Sequence, residues 1–134
     1  MISLKNTLEA ITKALSVDYI VEQGTSGIWT YRKWNSGIAE CWGTFSFTAT
    51  STGTWGQQYY LGGKSTKYPF TFSAVPQEFV TGISYQGSSW IYKDAGNTTS
   101  ETGMYSLAKA NNSYGQFVTP QTVKYYFQVI GRWK

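Results

Sequence analysis

Seven acidic residues, one cysteine and no histidine leave the 134-residue chain few of the side chains that most often do acid–base, thiol or metal chemistry. Without histidine, zinc sites of the usual kind and histidine-based triads are excluded. Cys41 has no partner for an internal disulfide and reads as a small buried apolar residue. Among the carboxylates, Glu40 stands between Ala39 and Cys41 in an apolar run. A glycoside-cleaving pair would need a second carboxyl group at a set separation, and Glu78, Asp94 and Glu101 carry no spacing that singles one out. The simpler expectation is that Glu40 pairs with Arg32 or Lys33 across a hairpin. Gly63-Lys64-Ser65 resembles the end of a phosphate-binding loop, but Gln58 replaces its first glycine and no strand-to-helix context surrounds it. Asp94, Asn97 and Glu101 lack calcium-loop spacing. The sequons at Asn97 and Asn111 matter only along a eukaryotic secretory route. No metal or cofactor is expected.

Aromatic side chains are the more informative chemistry. They make up 18% of the chain, with 6 Trp and 11 Tyr, whereas charged residues make up only 13%. Flat rings stack on sugar rings, and Asn, Gln, Ser and Thr satisfy sugar hydroxyls. The candidate ligand contacts are Trp55, Tyr59 and Tyr60 in a polar stretch at residues 49–67, and Trp90 and Tyr92 further on. The competing assignment for each is packing in the core or across a subunit interface. Trp29, Trp34 and Trp42 read as structural, and Trp133 as a stacking partner for Arg132 or a cover over the base of the domain.

The elements that must position these rings are mostly strands. Residues 28–43 form two β-rich segments around Asn35-Ser36-Gly37, a three-residue hairpin loop in which Asn35 and Gly37 tolerate positive φ. Phe45 and Phe47 then alternate with Thr44, Ser46 and Thr48, giving one buried and one wet face. Further strands are expected at 18–22, 68–73, 78–85, 89–93, 103–110 and 123–130, with a hairpin turn at Gln86-Gly87-Ser88. Short strands spaced by turn residues predict a mainly β fold, an antiparallel sandwich or jelly-roll-like head.

One helix precedes it. Leu4, Leu8, Ile11 and Leu15 recur at heptad spacing over the first 17 residues. About two heptads are too few for a stable isolated coil. The seam therefore packs either on its own domain or on copies of itself, and mixed Leu and Ile favours three or more strands over two. The expected division is a helical stalk at 1–22 and a β head at 23–134, joined through a linker-like turn at 23–27. The net charge of +4 is scattered rather than gathered in a stripe, which argues against nucleic acid. No segment reaches the length of a membrane span, and the first residues lack a signal-peptide core.

The hairpin Trp-Thr-Tyr-Arg-Lys-Trp-Asn-Ser-Gly-Ile-Ala-Glu-Cys-Trp-Gly at 29–43, the run Tyr-Pro-Phe-Thr-Phe-Ser-Ala-Val-Pro at 68–76 and the closing Val-Ile-Gly-Arg-Trp-Lys resemble the C-terminal head domains of bacteriophage and prophage tail-fibre or minor structural proteins. The resemblance covers nearly the whole chain. It implies a non-enzymatic homotrimeric β-sandwich at the tip of a tail appendage, in the virion tail. Such a head is made in the bacterial cytoplasm, released by lysis, joined to other tail proteins and attached to host cell-surface glycan. A chain this small, with its own Met1, departs from the long fibres in which such heads sit, and is expected to be an excised domain or a separately encoded tip. A glycan-cleaving tip and a ligand-free spacer are the alternatives.

Overall fold

The computed structural model describes residues 3–83, 89–110 and 116–134. The expected turn at Gln86-Gly87-Ser88 and the sequon at Asn111 lie outside the described residues. Two antiparallel sheets form a sandwich behind one short helix. Helix α1 (Leu4–Ser16) starts where the Ser3 hydroxyl accepts from the Asn6 N–H at 3.2 Å, satisfying one of the free donors of the first turn. The strands are β1 (Ile20–Ser26), β2 (Trp29–Trp34), β3 (Ile38–Ala49), β4 (Thr52–Trp55), β5 (Gln58–Leu61), β6 (Gln77–Ile83), β7 (Trp90–Ala95), β8 (Met104–Ala110) and β9 (Gln121–Arg132). One sheet has the order β1-β2-β3-β9-β6, the other β4-β5-β8-β7. Among the described residues, no helix is long and apolar enough to cross a membrane.

The period-2 alternation of β3 and β9 builds the core. Ala39, Cys41, Ala49, Val123, Tyr125, Phe127 and Val129 face inward, while Thr44, Ser46, Thr48, Tyr126 and Gln128 face out. From the second sheet, Leu61, Tyr105 and Leu107 meet them. The buried Tyr125 hydroxyl donates to the Tyr105 carbonyl at 2.9 Å and ties one sheet to the other. Trp29 sits in the core between Tyr68 and Phe127, with ring centroids 5.9 and 5.8 Å away, and its indole N–H donates to the Lys67 carbonyl. Burial pushes the Cys41 thiol up to about 12, with Glu78 and Glu40 adding to the shift.

Four local expectations change. In the β2–β3 hairpin only Gly37 takes positive φ, at 93°, and Asn35 does not. Residues 23–26, expected as a linker, continue β1, because they pair with residues 29–32 of β2. The polar stretch at 49–67 is largely a hairpin, β4–β5, closed by Gly56 at φ 58°, the glycine-first arrangement that a two-residue hairpin turn accepts. Residues 68–73 alternate like a strand but form none. Their N–H groups go elsewhere, Tyr68 to Ser100, Phe72 to Thr99 and Ser73 to Arg132, so the segment is a strap whose aromatics close one end of the sandwich.

Two exposed clusters brace the edges. Asp18 accepts from the N–H and hydroxyl of Ser36 at 2.9 and 2.7 Å and so pins the β2–β3 turn. Glu22 accepts from Tyr31 and Lys33, both at 2.9 Å. Trp133 donates its indole N–H to the Trp34 carbonyl, and the cations over its ring are Lys33 and Lys134, at 5.4 and 4.9 Å.

Candidate carbohydrate site

The outer face of the four-stranded sheet carries most of the candidate aromatics, around a central strand whose Ser106 and Ala108 are fully buried. Its parity follows from the core: Tyr59, Leu61, Ile91 and Leu107 pack inward, so Tyr60, Trp90, Tyr92, Ser106 and Ala108 point outward. Ala108 lies between Tyr60 and Trp90 on the neighbouring strands, and Ser106 beside Tyr92. Small residues on the central strand flanked by large rings make a trough. Four of the five candidate aromatics, Trp55, Tyr60, Trp90 and Tyr92, thus share one face, whereas Tyr59 is turned into the sandwich and meets the core.

A cleft of about 510 Å³ opens there, bounded by Trp55, Tyr60, Tyr92, Lys93, Asp94, Met104 and Ser106. Trp55 is 67% exposed, and its ring lies 6.3 Å from that of Tyr92, tilted by 30°. Trp55 also separates this cleft from a shallower hollow of about 360 Å³ edged by Trp90, Gln57 and Gln58. The ring of Tyr60 lies across β4 because Gly53, its cross-strand partner, has no side chain: a Cβ there would stand 2.3 Å from the ring. Burial raises the Tyr92 hydroxyl above its ordinary range, and the nearby Asp94 carboxylate adds to the shift.

Asp94 enters through a bulge. Lys93 pairs with Tyr105 and Ala95 with Met104, which leaves Asp94 as an extra residue in β7. Bulges re-aim side chains in this way. The Ser106 hydroxyl donates to Asp94 Oδ2 and fixes the carboxylate at the rim of the cleft.

Lys93, the adjacent cation, is committed elsewhere. Its ammonium lies 3.2 Å from Glu78 Oε2 and donates to Asn97 Oδ1 at 2.8 Å. Glu78 is 1% exposed and accepts further from the hydroxyls of Tyr68 and Tyr105, at 2.7 and 2.6 Å, and from the Gly103 N–H. This carboxylate is saturated, and both phenols are pushed well above their ordinary range, first by burial and then by Glu78. Asn97, one of the oxygens considered for calcium, is taken up by Lys93, Tyr68 and the Pro76 carbonyl. Glu40 stands opposite Arg32 in the hairpin register, 3.8 Å from its guanidinium, as an ion pair at the surface. Among the described residues, no three His, Cys, Asp or Glu side chains come together as metal donors.

The helical seam is bare in the single chain: Leu4, Leu8 and Ile11 are 84%, 62% and 50% exposed. The side chain of Leu15 lies outside the described residues. Position along the chain alone could not have revealed the bulge at Asp94 or the glycine bed under Tyr60, since both depend on strand register. No protein-family model, no curated protein and no solved structure matches the chain.

Proposed function

We propose that the chain is a non-enzymatic attachment head, the receptor-binding tip of a phage tail fibre, which holds cell-surface glycan on the outer face of its four-stranded sheet and works as a homotrimer. The observation that carries this reading is the trough of Trp55, Tyr60, Trp90 and Tyr92 with one fixed carboxylate at its rim. Rings left in water beside hydrogen-bonding groups match the alternating apolar and hydroxyl faces of a pyranose. Glu78, the most buried carboxylate, has its lone pairs filled by protein donors, which favours holding over cutting.

The bare seam of α1 supports assembly, since exposed leucines at heptad spacing gain from burial against copies of themselves. Only residues 17–19 separate α1 from β1. A helical bundle would therefore hold the heads close to one another.

The test is binding of the whole chain to polysaccharides purified from candidate host surfaces, repeated with Trp55→Ala and Trp90→Ala. Binding that is lost in the variants while Tm holds, with no oligosaccharide released, is the expected result. Retention of the same affinity by both variants would overturn the assignment, and release of oligosaccharide would turn the head into an enzyme.

A further inference from the structure

We infer that the cleft selects an aminated saccharide, a hexosamine whose free ammonium meets Asp94 while the apolar face of its ring lies on Trp55. This rests on the carbohydrate reading above and names the class of sugar within it. Three features of the cleft point to a cation rather than a neutral glycan. Asp94 projects from a bulge and is solvent-exposed, and as a carboxylate it only accepts hydrogen bonds. It accepts from the Ser106 hydroxyl, meets the Tyr92 hydroxyl, and stands at the rim of the cleft. The neighbouring cation that would neutralise it, Lys93, spends its ammonium on Glu78 and Asn97. The walls include Trp55, Tyr60 and Tyr92, whose π faces attract cations and add to the pull of the carboxylate, along with Thr54, Met104 and the Lys93 stem, whose ammonium is turned to Glu78 and Asn97. Electron-rich rings around an exposed carboxylate disfavour an anionic sugar and give an ammonium both a charge partner and a π surface, where a neutral sugar offers the carboxylate hydroxyls alone. The net charge of +4 works against indiscriminate capture of a polycation, so a preference for the ammonium must arise locally.

The experiment titrates the whole chain with the β-1,4-linked tetramer of glucosamine and, separately, with its fully N-acetylated counterpart, which keeps the rings and removes the charge. The expected result is tighter binding of the amino tetramer by about 10- to 100-fold, the range of a charge-assisted hydrogen bond. Asp94→Asn abolishes the preference. Ser106→Ala, which frees the carboxylate without removing it, keeps it. Trp55→Ala weakens both ligands. Equal affinity for the two tetramers, or a preference that survives Asp94→Asn, would overturn the inference. If a neutral glycan binds in a Trp55-dependent manner and the amino tetramer does not, only this inference fails. If no neutral or aminated glycan binds at millimolar concentration, the carbohydrate reading fails with it. Choline supplies an ammonium without a pyranose and is expected to compete weakly; competition equal to that of the tetramer would make the ligand an ammonium substituent and overturn the sugar assignment.

Discussion

Gly53→Ala reshapes the cleft without removing any atom that a ligand touches, and its effect can be worked from one distance. The added Cβ would lie 2.3 Å from Tyr60 Cζ and 2.6 Å from both Cε1 and the hydroxyl. Ordinary contact begins at 3.4 Å, so the ring must retreat by about 1 Å. What it meets is the far end of a partly exposed side chain, which can swing, so the fold survives. Removing a glycine from a strand recovers about 0.4–1 kcal/mol through the unfolded chain, and an off-rotamer Tyr60 costs about 0.5–1.5 kcal/mol. These nearly cancel, and Tm is expected to move by roughly 5 °C or less. The displaced ring intrudes on the cleft and loses a stacking contact worth about 0.5–1.5 kcal/mol, which lowers affinity for the glucosamine tetramer by about 2- to 10-fold. Calorimetric titration measures the affinity and urea unfolding the stability. The double variant Gly53→Ala/Tyr60→Ala isolates the cause, because without the ring the alanine has nothing to displace. A coupling of about 0.5–1.5 kcal/mol between the two sites in unfolding is expected. Additive stabilities with unchanged affinity would refute the geometry outright.

Other consequences concern the core, the turn and the seam. Glu78→Ala leaves the Lys93 ammonium and two phenols without their acceptor and is expected to lower stability by about 3–5 kcal/mol in urea unfolding, whereas Glu78→Gln, which keeps an acceptor, costs less. With its thiol pushed up to about 12 by burial, Cys41 should stay inert to an aromatic disulfide reagent at pH 8 and react fully once the chain is unfolded. Asp18 is held below its ordinary value of 3.8, first by the Ser36 hydroxyl. A depressed folded-state value gives stability that is present above the ordinary one and lost as pH falls through the lower one. The advantage of the wild type over Asp18→Asn should therefore be full above the ordinary value of 3.8 and shrink as pH falls below it in acid unfolding. Leu8→Ser breaks the middle of the α1 seam, and sedimentation at micromolar concentration should convert trimer to monomer without changing the Tm of the sandwich.

Where the local apolar pattern has an unbroken period, the fold was legible in advance. Leu4, Leu8 and Ile11 mark α1, and Phe45 and Phe47 on β3 and the alternating core residues of β9 mark two faces of a sheet. Tyr68, Phe70 and Phe72 show the limit of that logic. Alternation reports burial on one side of an extended chain, not the identity of its hydrogen-bond partners, and here those partners are loop carbonyls and Arg132. The β4–β5 hairpin was hidden because Thr, Gly and Gln surround its aromatics and only the positive φ of Gly56 closes it. At the site, exposed aromatics in polar surroundings were readable as a group. Tyr59 parted from Tyr60 on strand parity alone, which needs the register. The placement of Asp94 at the rim depends on a bulge, and the ammonium of Lys93 turns to Glu78 and Asn97 only through the tertiary fold.

The two features that mark this chain, a bare seam and a shallow trough, are each weak, and their weakness is what couples them. A helix of 13 residues is marginal by itself, and about two heptads of seam bury little apolar area. A trough open on one side covers only part of a sugar, and Trp55 at 67% exposure is held by few neighbours. Single-site affinity is then low. On the proposed reading, joining three heads would turn the second and third contacts into local ones at millimolar effective concentration and multiply retention by about 10²–10⁴ without any new contact. The gain would also run in reverse: heads gathered on a glycan-bearing surface would raise the local concentration of their helices, so each bound sugar would favour the bundle. A strong coil would make assembly independent of the surface, and a deep pocket would make binding independent of assembly. With both interactions shallow, the proposed attachment would require a dense array of sugars, which would distinguish a cell surface from soluble oligosaccharide of the same composition.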